Sequence, residues 1–218
     1  MKTKFILLIA FISLSSVTFA QNEKGEKFLK LMRDYYFTHD KTLVNQTIDM
    51  INGGLWDEGV FEMRFKAFYG ALFAINPEVK AEFQKKVIKI KSTEFADLFE
   101  QVFNSSIDDI YANAPETIDA NEMICYSYYA TGDNKYIDQL LTKAADSEER
   151  KDLDKYMVGA NALWWLATVR DEHILIKEYL DTKAGNKYAQ IALKSRAYDL
   201  KNQQLDVLAE QKKKGIWK

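Results

Sequence analysis

The chain has 218 residues, 47% of them hydrophobic, with 30 Lys and Arg against 32 Asp and Glu and a formal charge of −2. This mixed, near-neutral balance argues against a nucleic-acid binder, which needs a basic face to displace counterions from phosphate. The single cysteine, Cys125, excludes an internal disulfide, so the fold must rest on its apolar core.

At the start of the chain, Lys2 and Lys4 form a short basic stretch. Phe5 to Val17 is apolar with a few serines, and Thr18-Phe19-Ala20 ends in a small residue before the polar Gln21-Asn22-Glu23-Lys24. Residues 1–20 therefore read as a secretory signal peptide. Residues 21–218 read as one helical repeat domain, with a division possible near 105–117. Cleavage after Ala20 takes two basic residues away, leaving 28 basic against 32 acidic and a charge of −4. No later apolar run approaches the roughly 18 residues needed to span a bilayer. No Cys stands near the cleavage point to carry a lipid, and so few cysteines suit bacterial export. The expected location is the periplasm or exterior of a Gram-negative bacterium. Asn45-Gln46-Thr47 and Asn104-Ser105-Ser106 match the glycosylation pattern, which matters only in a eukaryotic source.

Apolar residues then recur at helical spacing: Phe28, Leu31/Met32 and Tyr35; Phe61, Phe65, Phe68 and Leu72; Phe95, Leu98/Phe99 and Val102; Tyr156/Met157, Ala160, Leu163/Trp164 and Ala167. Sustained period-2 alternation is missing. Asn76-Pro77 reads as an N-cap followed by Pro at the first helical position. Ser92 or Thr93 is placed to cap the helix through Phe103, and Ser147 with Glu148 and Glu149 reads as another helix start. Gly53, Gly54, Gly132 and Gly185 fall at helix ends. Gly70 and Gly159, inside predicted helices, suggest close approach of two backbones. The sum is an all-α chain of about ten helices joined by short loops.

The chain also resembles itself. Tyr35-Tyr36-Phe37-Thr38-His39-Asp40 matches Tyr128-Tyr129-Ala130-Thr131-Gly132-Asp133. Ala167-Thr168 follows Ala130-Thr131 by 37 residues, and Ala74-Ile75-Asn76 follows Phe37-Thr38-His39 by the same 37. A helix–turn–helix period in the thirties is the mark of an α-solenoid, in which stacked antiparallel hairpins bury a shared core. The stretch Ser127-Tyr128-Tyr129-Ala130-Thr131-Gly132-Asp133-Asn134-Lys135-Tyr136-Ile137 through Ala144 resembles a tetratricopeptide-type hairpin. Residues 120–180 are similar to exported bacterial proteins of unknown function that carry the same Ala-Thr-Gly-Asp hairpin and a Trp-rich helix. The spacing of 37 instead of about 34, the missing Gly in the other turns and the missing closing Pro depart from the tetratricopeptide pattern. The resemblance implies the hairpin architecture and no reaction.

Candidate chemistry is sparse. Cys125 lies in the apolar run Met123-Ile124-Cys125-Tyr126 and reads as a buried structural thiol, without the electropositive setting of a nucleophile. His39 and His173 fall at inter-helix turns and read as solvated, with no zinc-ligand spacing. Asp40, Asp133 and Asp171 recur near turns, where capping competes with a carboxylate ladder. Trp164, Trp165, Asn161, Tyr126 and Tyr129 are candidates for a binding groove, because aromatics give large contact area with a polar tip. Packing, and for Asn161 a helix-pairing hydrogen bond, is the competing reading. The basic end, Lys212 to Lys218 with Trp217, reads as a frayed helix end whose lysines match the dipole, against a contact with an anionic membrane. No phosphate loop, nucleophile elbow or metalloprotease helix occurs, and no cofactor or metal is expected. The expected function is binding of a protein or peptide, without evident catalysis. A small-molecule or envelope-polymer binder with an aromatic pocket is the second reading, and an enzyme without a recognisable motif is the third.

Overall fold

The computed structural model describes residues 23–54, 58–114 and 117–217. The expected signal peptide and Pro115 lie outside them. Among the described residues there are twelve α-helices and no strand: α1 (Glu23–Thr38), α2 (Leu43–Asn52), α3 (Glu58–Ile75), α4 (Pro77–Lys86), α5 (Thr93–Asn104), α6 (Ile107–Ala112), α7 (Ile118–Thr131), α8 (Lys135–Ala144), α9 (Leu153–Glu172), α10 (Ile174–Thr182), α11 (Lys187–Lys194) and α12 (Ala197–Lys213). Two short 3-10 turns, Val87–Lys89 and Ala145–Glu148, follow α4 and α8. The all-α reading from apolar spacing is the architecture observed.

The helices pair as hairpins, α1/α2, α3/α4, α7/α8 and α9/α10, and the first members run side by side in one direction. Phe28 meets Phe65 and Tyr35 meets Phe68, aligning α1 with α3. Arg64 pairs with Glu122 and, further along, Ser127 donates to the Ala67 carbonyl, aligning α3 with α7. Asn121 donates to the Val158 carbonyl and the Tyr129 ring meets His173, aligning α7 with α9. The four hairpin turns therefore emerge at one end of the molecule.

Helix α7 lies in the middle of this frame, against α1, α3, α8 and α9. From Met123 to Ala130 every residue is buried. A helix with neighbours on all sides has no solvent stripe to fill with charge, which is why Met123-Ile124-Cys125-Tyr126 reads as a continuous apolar run. One cluster of buried apolar side chains extends from Phe28 to Leu200. Burial of each large side chain in it contributes about 1.5–3 kcal/mol relative to exposure.

Local sequence explains most helix boundaries. The Asn76 side chain accepts from the Val79 N–H, with Pro77 at the first helical position, and Ser92 accepts from the Phe95 N–H. Gly132 ends α7 in the left-handed region at φ 67°, a conformation that carries a steric cost for any residue with a Cβ. A Cβ there would also stand 3.2 Å from the Tyr36 ring. The close backbone approach expected at Gly70 and Gly159 is present at Gly159, against the 145–148 turn; at Gly70 the close neighbours are side chains, Ile107 and Ile110. A Cβ on Gly70 would lie 2.5 Å from Ile110 Cδ1 of α6, and one on Gly159 would lie 2.1 Å from the Ser147 backbone nitrogen.

Three expectations need correction. The helix expected to start at Ser147 starts at Leu153, capped by the Asp152 carboxylate, which accepts from the Asp154 and Lys155 N–H groups. Residues 145–148 instead close a 3-10 turn pressed onto Gly159, a tertiary contact invisible in local propensity. The C-terminal helix end is not frayed through Trp217, whose ring is buried 5.0 Å from that of Tyr156. Asp171 caps no helix; it pairs with Arg170. Asp40 and Asp133 do accept N–H groups at the approach to the next helix, from Thr42 and Lys135.

Candidate functional site

The end of the molecule that carries the hairpin turns holds most of the unusual chemistry. His173 is the whole connection between α9 and α10. Its N–H donates to the Val169 carbonyl at the end of α9, and its own carbonyl accepts from Ile176 and Lys177 in α10. The solvated histidine expected here is in fact buried, because α1 and α7 close over it. Its Nδ1 lies 3.2 Å from the Tyr36 hydroxyl, and its ring packs on Tyr36 and Tyr129. Burial pushes the imidazole below its ordinary pKa; Asp34 opposes this, while Arg33 and Lys30 reinforce it. His39, in contrast, is exposed at the first turn, with φ 46°.

The residues singled out from sequence lie on the neighbouring helices α7 (Tyr126, Tyr129) and α9 (Asn161, Trp164, Trp165). Asn161 accepts from Asn121 at 2.9 Å, a hydrogen bond between the two helices. Trp165 is half-buried, with its ring 5.3 Å from that of Trp164. Tyr126 is buried between the Tyr129 ring and the Arg64 guanidinium. Tyr129 is buried too. Its hydroxyl, the Trp165 Nε1 and the His173 Nε2 have no protein partner among the described residues. Buried polar atoms are nearly always paired, so this seam between α7 and α9 carries a polar cost. Burial, with Glu122 adding to it, raises the Cys125 thiol well above its usual value, which keeps it protonated and inert.

The opening on the same end is a groove of about 650 Å³ between the end of α9, the start of α10 and the end of α11. Arg170 braces it from below. Its Nη1 donates to the Ala192 and Leu193 carbonyls, tying α9 to the end of α11 and supplying the positive charge that a helix C-terminus favours. Ile174, 62% exposed, and Leu193 give the groove an apolar patch. Lys177 and Lys194 face it without a carboxylate within 4 Å among the described residues, whereas Arg170 and Arg196 are held by Asp171 and Asp199. Glu172, also in the lining, is paired with Arg33, so the groove offers two ammonium groups without an ion-pair partner beside exposed apolar surface. Among the described residues no three His, Cys, Asp or Glu side chains converge as a metal site.

Sequence reasoning did not find the groove residues. Lys177 is far in sequence from Lys194 and Arg196, and only the fold of α9 to α11 brings it to them. One local signal was readable: Ile174-Leu175 opens a short helix with two adjacent apolar residues, more than its single buried stripe takes, and both are exposed. Comparison with protein-family models, curated proteins and solved structures gave no match.

Proposed function

We propose that this chain is an exported, tetratricopeptide-like helical-hairpin protein of a bacterial periplasm or exterior, and that it binds a protein or peptide segment in the groove between α9, α10 and α11. The observation that carries this reading is the pairing of exposed Ile174 with the unneutralised Lys177 and Lys194 on a rigidly braced floor. The partner this chemistry selects is an extended segment with one apolar side chain between two carboxylates. The hairpin frame supports the reading because stacked helices hold such a surface without an ordering cost at binding.

A labelled peptide of alternating Asp, Glu and Leu, titrated by fluorescence anisotropy, tests it. Lys177→Glu with Lys194→Glu should weaken binding at least about tenfold, because each rim charge contributes up to about 1 kcal/mol and reversal doubles the change. Both positions are exposed, so the fold is unaffected. Equal affinity for a Lys-Leu peptide of the same length, or an unchanged affinity in the double variant, overturns the reading.

A further inference from the structure

A second concavity lies away from the hairpin turns, between the start of α9, α11, α12 and the 3-10 turn at 145–148. It measures about 260 Å³. Its walls are apolar, built from Leu163, Ile191, Leu200 and Val207 with the Tyr156 ring. Small-molecule sites have this composition, apolar walls with a few convergent polar groups.

Three polar residues that line it bear on its chemistry. Arg150 lines the cleft with its guanidinium 5.2 Å from the Tyr156 ring centroid. Its Nη1 donates to the Ser147 and Glu149 carbonyls, which fixes the fork. Its Nε and Nη2 have no acceptor, and no carboxylate lies within 4 Å of it among the described residues. The acid whose field it does share, Glu210, lies beyond 4 Å and is paired with Lys214, so the fork of Arg150, suited to holding a carboxylate bidentately, is left open. Gln204, 8% exposed on the α12 wall, spends its amide N–H on the Met157 sulfur, a weak acceptor. Glu148, the acid on the cleft rim, is already neutralised by Lys187.

We propose that this cleft is a binding site for a small monocarboxylate with an apolar body. The carboxylate would sit on the free edge of Arg150, within reach of the Gln204 amide, and the apolar body would lie along Tyr156 and Leu163. A volume of 260 Å³ is the share of about nine water molecules, room for one ring or a chain of about eight carbons. The site is separate from the peptide groove and stands or falls independently of it.

Calorimetric titration of the purified chain with octanoate, octanol and octylamine tests the proposal. Octanoate should saturate and bind at least about tenfold more tightly than the other two, the margin of one charge-assisted contact. Arg150→Gln should bring octanoate down to the level of octanol, and Gln203→Trp, at an exposed rim position, should weaken all three. If Arg150→Gln does not fold, Arg150→Lys decides: it keeps the charge over Tyr156 but loses the fork, so a reduced preference for octanoate supports the site and an unchanged preference overturns it. Absence of saturable octanoate binding, or equal affinity for octanoate and octanol, also overturns it.

Discussion

The first half and the last third of this protein use aromatic residues in opposite ways. Between α3, α4 and α5, Phe65, Tyr69, Phe73, Phe83, Phe99 and Phe103 pack ring on ring, with centroids 4.3–6.3 Å apart. Even the Tyr69 hydroxyl is spent internally, on Thr47. Between α9 and α12 the aromatics are less enclosed: Tyr156 has Trp217 and the Arg150 guanidinium against its ring and lines the cleft, and Trp164 and Trp165 are only half-buried. Rings that satisfy one another build a wall. Rings left beside an unpaired cation build a place for something else. The N-terminal half supplies rigidity, and the C-terminal third supplies surface.

That contrast can be broken by mutation. The largest effect is expected in the wall: Phe99→Ala removes a fully buried ring that touches four others and should cost about 3–5 kcal/mol in denaturant unfolding. A cost below about 1 kcal/mol would mean the wall is not where stability resides. Next comes Gly159→Ala. A Cβ there meets the backbone of the 145–148 turn at 2.1 Å, and backbone cannot rotate away as a side-chain tip does. The expected loss is about 2–3 kcal/mol. It should also weaken octanoate, because Ser147 and Glu149 orient Arg150.

The smallest effect, and the one that joins the two regions, is the pH response of His173. Its folded pKa lies below the ordinary value near 6.5, chiefly through burial. The unfolded chain therefore binds the proton more readily. Stability from the neutral ring is fully present above about pH 6.5 and is lost as pH falls from there toward the lowered folded value. His173→Gln should flatten the fall in unfolding free energy between pH 7.5 and pH 5. An unchanged slope would show that another group carries it.

Much of the frame was legible locally. Asn76-Pro77 and Ser92 announce helix starts through side-chain chemistry that needs no tertiary partner, and Gly132 announces a helix end through a backbone conformation. The spacing of Phe61, Phe65, Phe68 and Leu72 showed a buried face. What was hidden depends on distant neighbours. His173 at a turn looks solvated until Tyr36, 137 positions earlier, closes on it. Residues 145–148 carry acids suited to a helix start, yet they form a 3-10 turn against Gly159. The candidate site was least legible, because charge, apolar surface and volume are contributed by separate helices. Asn161 and Trp165 lie on α9, which gives Tyr156 and Leu163 to one opening and Arg170 to the other, but neither of them lines either opening.

The position of α7 also sets an order of assembly. It covers α1 and α3, yet it follows them in the chain, so neither can be completed by its sequence neighbours alone. Tyr36 waits for Tyr128, and the Ala67 carbonyl waits for Ser127, 60 residues away. Contacts of that separation carry a loop-closure cost before they return any stabilisation. A chain cut before residue 118 would therefore present two hairpins with their inner faces open, and the protein becomes whole only when its central helix arrives.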